Sequence, residues 1–320
     1  MKTNYLVSAI VSVYNSERFI AGCLEDLESQ TIADKVEIII INSGSQQNER
    51  IIIQKYANEY KNIVYIDTPE RETIYSAWNR GIKASSGKYI TNANSDDRHR
   101  RDAFEAMSNF LEKNSSVDLI YGDSIITETE NETFDNCTPT GYINYSKDIL
   151  DRRTYLLYGG VGNQPMWRKK IHDEFGYFDE SLEVAGDLEF WIRISRKCKF
   201  KHINEYLGLY LNSPTGMEKI NFEVTALETL AVTNSYLPEI KSDKDLYSKL
   251  KAILSKKYND LALFYLNNRR DTEAIKTVVK SIGYDWQNVQ AYKILIALII
   301  PNGVRESIRS SGRFGKSENK

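Results

Sequence analysis

Short apolar runs alternate with longer amphipathic segments through the first 120 residues of the chain. The apolar runs are rich in β-branched residues and predict strands at Leu6 to Val13, Val36 to Ile41, Ile63 to Ile66, Lys88 to Thr91 and Leu119 to Tyr121. The segments between them repeat apolar residues at helical spacing and predict helices at Phe19 to Leu27, Gln46 to Tyr60, Tyr75 to Ala84 and Arg101 to Lys113. This alternation predicts an α/β fold with a mostly parallel, Rossmann-like sheet flanked by helices.

The middle of the chain has a weaker pattern. The polar stretch from Thr127 to Thr133 predicts a hairpin or an exposed loop. Order returns at Gly186 to Ile194, where an acidic start and helical spacing predict a helix.

After Tyr210 strand signals stop, and the pattern becomes helical throughout. The predicted helices are Ile220 to Tyr236, Leu246 to Leu266, Thr272 to Ile282 and Asn288 to Ile300. One pair of them resembles a tetratricopeptide unit; a single unit is too few for an array, which favours a packing appendage. We therefore predict three segments: an α/β domain at 1–215, an all-α region at 216–305 and a basic flexible tail at 306–320.

Composition narrows the class of protein. Lys and Arg number 42 against 44 acids, so no excess of positive charge predicts a nucleic-acid partner. The three cysteines, Cys23, Cys137 and Cys198, fit neither a disulfide framework nor a close zinc-ligand spacing. With neither a signal peptide nor a membrane-spanning run evident, we expect a cytoplasmic protein. The apolar run Ile294 to Ile300 and the arginines after it are also compatible with peripheral contact at the inner face of the cytoplasmic membrane.

Candidate chemistry appears where the fourth predicted strand ends, at Asn94-Ser95-Asp96-Asp97. Carboxylates at the carboxyl edge of a parallel sheet suggest a metal held against a phosphate. The simpler alternative is that Asp96 and Asp97 cap the helix near Arg101. The first strand is followed by neither a G-x-G-x-x-G nor a G-x-x-x-x-G-K-[ST] motif, which argues against a nicotinamide oxidoreductase and a P-loop nucleotidase.

Several motifs together resemble the family 2 glycosyltransferases of the GT-A fold, over about residues 6 to 213. They are Val11 to Asn15, Glu37 to Ser45, Tyr75 to Ile82, Asn94 to Asp97, Phe175 to Glu180 and Gly186 to Arg193. Each motif is weak alone, but their joint order is specific.

The resemblance implies a nucleotide-sugar donor bound at the carboxyl edge of the sheet. The residues that it places at the donor are Tyr14, Asn15 and Glu17 for the nucleoside, Asn42 for the base, and Arg71, Asn79 and Arg80 for the phosphates or ribose. Simpler roles stay open for three of these residues: edge packing for Tyr14, a helix cap for Asn15 and a solvated helix face for Arg80.

The resemblance also implies the catalytic groups. Asp96 matches the ligand of a divalent cation, Mn²⁺ or Mg²⁺, while Asn94 stands where many relatives have an acid. Asp187 matches the general base that deprotonates the acceptor hydroxyl. Trp191, one helical turn later, is expected either in the acceptor pocket or in the core. The three histidines are expected to have surface or packing roles.

The implied activity is inverting transfer of a sugar, from a UDP-sugar by preference, to a glycan or lipid-linked acceptor, as in bacterial surface-polysaccharide assembly. The C-terminal helices would complete the acceptor side or form a homodimer surface. Two alternatives stay open: hydrolysis with a pair of carboxylates in the manner of a glycosidase, and a silent nucleotide-sugar-binding scaffold that lost its chemistry through Asn42 and Asn94.

Overall fold

The computed structural model describes residues 5–145, 148–149, 151–162, 164–213, 216 and 221–300. The chain divides into two compact units, residues 1–220 and 221–320. The predicted basic tail, 306–320, lies outside the described residues.

In the described part of the first unit, nine strands form a single sheet. They are β1 (Val7–Val13), β2 (Val36–Ser43), β3 (Ile63–Thr68), β4 (Tyr89–Asn92), β5 (Arg98–His99), β6 (Leu119–Thr127), β7 (Gly141–Ile143), β8 (Met166–Arg168) and β9 (Phe200–Leu211). Their order is β3-β2-β1-β4-β8-β6-β9-β5, and β7 pairs with β6.

The sheet is parallel where the sequence predicts it and mixed beyond that. β3, β2, β1 and β4 are mutually parallel neighbours. β8 is antiparallel to both β4 and β6, and β9 is parallel to β6. The predicted α/β architecture is confirmed, and it places the carboxyl ends of four neighbouring strands on one edge.

Helices of the first unit connect and cover these strands. They are α1 (Glu17–Glu28), α2 (Glu49–Glu59), α3 (Ile74–Ala84), α4 (Ala103–Lys113), α5 (Arg152–Tyr158), α6 (Ile171–Phe175) and α7 (Gly186–Ile194), with a short 3₁₀ turn at Ala33–Lys35. α1 buries one apolar stripe, formed by Phe19, Ile20, Cys23, Leu24 and Leu27. Each such side chain contributes roughly 1.5–3 kcal/mol by leaving water, which fixes α1 against the sheet.

β6 is longer than the sequence predicts. The expected strand ends at Tyr121, but β6 continues to Thr127 and forms a hairpin with β7. The extension carries polar residues that look unsuited to a central strand. Asp123 is nevertheless buried there, because its Oδ1 lies 2.7 Å from His202 Nε2 on β9 and accepts from the Tyr145 N–H at 2.8 Å. These two hydrogen bonds compensate the burial of the carboxylate.

In its described residues the second unit is entirely helical. Its helices are α8 (Phe222–Ser235), α9 (Leu237–Ile240), α10 (Lys244–Asn267), α11 (Asp271–Tyr284) and α12 (Val289–Ile299). α10 and α11 pack against each other and approach closely at two buried serines, Ser255 and Ser281, whose hydroxyl oxygens are 2.8 Å apart. Among the described helices, none has the length and apolar character needed to cross a membrane.

Candidate active site

The carboxyl ends of β1, β2 and β3 lie side by side because their registers align. Val13 pairs with Asn42, and Asn42 pairs in turn with Asp67. On the other side of β1, β4 ends at Asn92, shortly before the Asn94–Asp97 segment. The polar residues that follow four strands therefore share one edge, the position at which open α/β sheets bind ligands.

Asn42 is buried at this edge, and the protein uses only part of its amide. Its Nδ2 donates to Asp67 Oδ1 at 2.9 Å and to the Tyr65 hydroxyl at 3.2 Å. Its Oδ1 is buried and has no hydrogen-bond partner among the described residues. An unsatisfied buried acceptor costs roughly 1–3 kcal/mol. That Asn42 faces the donor's base stays a prediction, and this oxygen is the atom that a ligand N–H would satisfy.

Asp67 is a polar residue of the edge that the sequence analysis did not select. Its carboxylate accepts from Asn42 and pairs with Arg50 of α2. The predicted third strand stops at Ile66, whereas β3 continues to Thr68. Asp67 lies at a strand end as Asp96 does, and a predicted third strand longer by two residues would have included it.

The loop after β1 is tied to the loop after β2. Asn15, at φ +50°, donates its N–H to Ser45 Oγ at 3.1 Å and accepts from the Gln46 N–H at 2.9 Å. The Glu17 carboxylate accepts from the side-chain amide of Asn48 at 2.9 Å and from its N–H at 3.3 Å. α1 begins at Glu17 with the residue before it as N-cap, so the helix-cap alternative for Asn15 is wrong. Both side chains hold the two loops of the edge together.

Tyr14 and Arg71 form a contact pair at the same edge. The Arg71 guanidinium carbon lies 4.3 Å from the centroid of the Tyr14 ring, a cation–π geometry worth about 0.5–1 kcal/mol at an exposed site. Gly44, at φ +62°, lets the loop after β2 meet the Arg71 backbone, because a Cβ there would lie 2.8 Å from the Arg71 nitrogen. The structure thus joins two residues that the sequence analysis places at the donor.

The segment after β4 is a turn of its own and caps no helix. α4 begins at Ala103 with Asp102 as its N-cap residue, so the alternative that Asp96 and Asp97 cap this helix is wrong. Asp97 instead fastens the turn: it accepts from Asn94 Nδ2 at 3.1 Å and from the Leu211 N–H of β9 at 3.3 Å.

Asn94 keeps a side-chain oxygen atom for a further ligand, two residues before the Asp96 carboxylate. Burial raises the pKa of the Asp96 carboxyl, and a backbone hydrogen bond and the charge of Arg18 oppose that rise. Asn94 Oδ1 is buried and has no hydrogen-bond partner in the part of the chain that the structure describes. A nearby cation would favour the ionised form of Asp96.

These two residues fit a divalent cation that is bound mainly by its substrate. Across the described ranges, no three His, Cys, Asp or Glu side chains group as a metal site. Mg²⁺ usually takes one or two protein carboxylates and completes its shell with phosphate oxygens and water. A single carboxylate together with an unpartnered amide oxygen matches that donor set. Asp96 and Asn94 would hold Mn²⁺ or Mg²⁺, and the ion would offset the charge of a diphosphate.

Asp187 is held at the start of α7 by groups from two elements. Its Oδ1 accepts from the Leu188 N–H at 2.7 Å and lies 3.2 Å from the Tyr75 hydroxyl of α3. Tyr75 shares its proton with the carbonyl of Val184, at 2.6 Å. Burial raises the pKa of Tyr75, and the charge of Asp187 adds to the rise, so this hydroxyl stays a donor. The helix N-terminus also favours a carboxylate here.

Gly186 makes the approach of Tyr75 to Asp187 feasible. A Cβ at this position would lie 2.7 Å from the Tyr75 ring, closer than packed carbon atoms allow. Glycine is therefore required where α7 begins. Tyr75 is a further functional candidate; the sequence places it in a motif but predicts no role for it.

The Asn79 side chain is occupied within the protein, and its contact with the donor stays a prediction. It is buried, and its Nδ2 donates to the Phe178 carbonyl at 2.9 Å and to Glu180 Oε1 at 2.8 Å. Its Oδ1 accepts from the Phe178 N–H at 3.0 Å. Both N–H groups are used within the protein, so Asn79 fixes residues 178–180 against α3.

The surroundings of Arg80 and Trp191 decide between the alternative roles predicted for them. Arg80 donates through Nε to Glu72 at 3.1 Å and its side chain is 47% exposed, as the solvated alternative predicts. Trp191 is only 4% exposed and packs edge-on against Trp167, with ring centroids 5.3 Å apart. Trp191 is a core residue, and the acceptor-pocket alternative for it is wrong.

The three histidines have packing roles, and none of them is exposed. His172 Nε2 accepts from Trp167 Nε1 at 2.9 Å, and its Nδ1 lies 2.9 Å from the Gly176 carbonyl, which defines a neutral ring protonated at Nδ1. Burial lowers the pKa of His172 and of His99 to about 4. His202 pairs with Asp123 inside the sheet.

A family model for glycosyl transferase family 2 matches residues 8–176, more than half of the chain. The chain belongs to glycosyl transferase family 2. The match spans the sheet edge and the Asp96 turn, whereas Asp187 lies beyond it. The resemblance drawn from the motifs is confirmed.

Sequence similarity to relatives extends over more of this glycosyltransferase than the family model does. An uncharacterised glycosyltransferase of Rickettsia prowazekii is 25% identical over 297 residues, which are 92% of this chain and 84% of the relative. Chondroitin synthase of Escherichia coli is 25% identical over 247 residues, 77% of this chain but 34% of that protein.

Solved structures show the same fold. S. aureus TarS 1–349 in complex with UDP-GlcNAc aligns with a TM-score of 0.64 at 16% identity, over 96% of this chain and 92% of that one. The mannosyltransferase PcManGT of Pyrobaculum calidifontis, in complex with GDP-Man and Mn²⁺, aligns at 0.58 and 13% identity, over 95% and 83%. At such identities the likeness concerns the fold alone, which is GT-A.

Proposed function

We propose that this glycosyltransferase is an inverting enzyme that moves a sugar from a UDP-sugar to a hydroxyl of a glycan or lipid-linked acceptor. The observation that carries the proposal is the Asp187 carboxylate, fixed by Tyr75 and the α7 backbone in the same unit as the polar sheet edge. The UDP-GlcNAc complex of TarS supports a uridine donor, and the GDP-Man complex of PcManGT makes guanosine the competing choice.

In the proposed reaction, the Asp187 carboxylate takes the proton of the acceptor hydroxyl while the oxygen forms its bond to the sugar's anomeric carbon. The bond from that carbon to the diphosphate breaks at the same time, and its electron pair leaves with the nucleoside diphosphate. Attack opposite to the leaving group inverts the anomeric centre. Asp96 and Asn94 would hold a divalent cation, which would offset the charge of the diphosphate. Asn42 orients the base.

Nucleotide binding is tested first by thermal unfolding with UDP-, GDP- and dTDP-sugars, each with Mn²⁺ or with a chelator. We expect the UDP-sugars to raise the melting temperature only with Mn²⁺, because a ligand at a hundred times its dissociation constant stabilises the native state by about 2.7 kcal/mol. Absence of a shift with any sugar nucleotide would contradict the proposal.

Turnover separates the enzyme from a silent scaffold. Donor hydrolysis and transfer are measured for the wild type and for Asp187→Asn, with retained UDP binding as the control for folding. Metal-dependent binding without turnover on any acceptor would favour the scaffold, while turnover unaffected by Asp187→Asn would exclude the proposed base.

A further inference from the structure

A buried ion pair joins α1 to the chain that leaves the Asp96 turn, residues 94–97. Arg98 of β5 donates through Nε to Asp26 Oδ2 at 2.6 Å and through Nη2 to Asp26 Oδ1 at 2.8 Å. The two side chains are only 8% and 13% exposed. Asp26 also accepts from the His99 N–H at 3.1 Å. One carboxylate of α1 therefore holds the side chain of one β5 residue and the backbone of the next.

The sheet by itself gives β5 little support. This strand has two residues and lies at one end of the strand order, where it pairs with β9 at Arg98–Leu209 and His99–Gly208. Strands in globular proteins usually have roughly 3–10 residues. β4, by contrast, lies between β1 and β8. The Asp96 turn thus follows a strand that is paired on both sides and precedes a strand that is held largely by α1.

The surface of α1 that meets this segment is shaped for it. A Cβ on Gly22 would lie 2.5 Å from Arg98 Nη1, so glycine leaves the space that the guanidinium occupies. The buried Cys23 thiol donates to the Asn94 carbonyl, with the sulfur 3.9 Å from the oxygen. Gly22 and Cys23 lie four and three residues before Asp26, the spacing of neighbours on a helix surface. One turn of α1 therefore contacts the Asp96 turn at its start and just after its end.

The residues after α1 extend this contact. Buried Gln30 donates to the Arg100 carbonyl at 3.0 Å and accepts from the Phe104 N–H at 3.1 Å. The Thr31 N–H donates to the Arg101 carbonyl at 3.0 Å. The chain from β5 to the start of α4 is thus fixed along α1, so the Asp96 turn is connected to a rigid element on its downstream side.

The charges of the pair matter more for geometry than for stability. Burying two opposite charges costs so much desolvation that apolar substitutes are often equally stable. A bidentate guanidinium–carboxylate pair, however, fixes both distance and orientation. Asp26 also neutralises a buried guanidinium two residues after Asp96, where an uncompensated positive charge would repel a divalent cation.

We propose that Asp26 and Arg98 are positioning residues for the cation, because they fix the backbone of the Asp96 turn through β5. This inference rests on the proposed function, in which Asp96 and Asn94 hold the divalent cation. Both positioning residues act through the backbone and need no contact with the donor. Groups that orient metal ligands typically change metal affinity by roughly 10- to 100-fold when they are altered.

Asp26→Asn and Arg98→Lys test the two halves of the pair. The first keeps the side-chain shape and removes the charge, whereas the second keeps the charge and removes the two parallel hydrogen bonds. In calorimetric titration of Mn²⁺ with excess UDP, we expect the dissociation constant of Mn²⁺ to rise by roughly tenfold or more in both variants. Gly22→Ala, which displaces the guanidinium without changing any charge, should change it in the same direction.

Hydrogen exchange supplies a readout that needs neither metal nor donor. In the metal-free protein, amides in a peptide covering residues 94–100 should exchange roughly tenfold faster in Asp26→Asn and in Arg98→Lys than in the wild type. A peptide covering β2 should keep its wild-type protection, because the pair does not contact that strand's pairing with β1 or β3.

Arg168→Lys is the matched control. Arg168 of β8 is 7% exposed, as Arg98 is, and it donates to the carbonyls of Leu111 at 2.6 Å and Val117 at 2.7 Å. It pairs with Tyr89 at the start of β4, at the opposite end of that strand from the Asp96 turn. This variant should unfold at a lower temperature, but its Mn²⁺ affinity and the exchange of the 94–100 peptide should equal those of the wild type.

The outcomes separate positioning from stability. Wild-type Mn²⁺ affinity in Asp26→Asn and Arg98→Lys would overturn the proposal and leave the pair a structural contact. An equal loss in Arg168→Lys would also overturn it, because general destabilisation would then explain the effect. If Asp26→Asn did not fold, Arg98→Lys and Gly22→Ala would decide.

Failure of the proposed function gives a different result. The wild type itself would then show no metal-dependent UDP binding. In that case the 94–100 peptide decides alone: exchange unchanged in Asp26→Asn and Arg98→Lys would show that the pair does not fix the turn.

Discussion

The donor edge and the surroundings of Asp187 differ in how completely the protein satisfies its own polar atoms. At the donor edge, Asn42 Oδ1 and Asn94 Oδ1 are buried without a hydrogen-bond partner among the described residues. At the start of α7, Asp187 Oδ1 already has two donors. The donor edge has buried acceptors that a ligand could satisfy, whereas the Asp187 carboxylate is already positioned by hydrogen bonds within the protein.

The difference matches the two tasks in the proposed reaction. A general base contributes through its position relative to the substrate, so its geometry benefits from being fixed in the free enzyme. A diphosphate and its cation bring their own charges and oxygen atoms, so a site for them gains selectivity by having polar atoms that only the ligand satisfies. Substitutions in the two regions should therefore have separable effects on rate and on binding.

The largest expected effects come from the two aspartates. Asp187→Asn should lower kcat by roughly 10²–10⁴-fold, because the acceptor proton loses its base, with little change in donor affinity. Asp96→Asn should weaken metal-dependent UDP binding by roughly 10- to 100-fold, the range for one lost charged contact. Transfer rates at saturating donor and calorimetric titration of UDP with Mn²⁺ distinguish the two. If both variants lost binding equally, the division between the regions would be wrong.

A smaller effect is expected for Tyr75→Phe, which keeps the ring against Gly186 and removes the hydroxyl. We expect kcat to fall by roughly fivefold to tenfold, since one neutral hydrogen bond contributes about 1 kcal/mol, while the KM for the donor stays the same. Steady-state kinetics measure both values. Tyr177→Phe is the matched control, because Tyr177 is partly exposed and stacks on His172. A raised donor KM in Tyr75→Phe would place Tyr75 at the donor instead.

The smallest effect is expected for Asn94→Asp, which restores an acid at the first position of the turn. We expect the Mn²⁺ concentration needed for half-maximal activity to fall by roughly threefold to tenfold, because added ligand charge tightens binding of a hard cation. Without metal the variant should unfold at a lower temperature, since Asn94 no longer donates to Asp97 and a like charge replaces it. Asn94→Ala is the control; a metal requirement unchanged in both variants would remove Asn94 from the cation site.

The sequence predicts the framework of the site well. Strands β1 to β4 and helices α1 to α4 lie within a few residues of their predicted bounds, because a buried strand and an amphipathic helix are each specified by their own local periodicity. The position of Asp96 at a sheet edge follows from the same pattern, since the carboxyl ends of parallel neighbours must coincide. The resemblance to glycosyl transferase family 2 adds Asp187, which periodicity alone would leave as the cap of a helix.

What the tertiary structure alone decides is the use of each polar atom. Asn79 and Asn42 are both buried amides at elements of the site. Residues 178–180 occupy the first completely, whereas the oxygen of the second has no hydrogen-bond partner within the described ranges. Tyr75 meets Asp187 across 112 residues of sequence, and Asp67 meets Asn42 through strand register. Such partners are chosen by packing between distant segments, which no local pattern encodes. The sequence by itself therefore determines where the chemistry is located, and the folded chain determines which atoms are available for it.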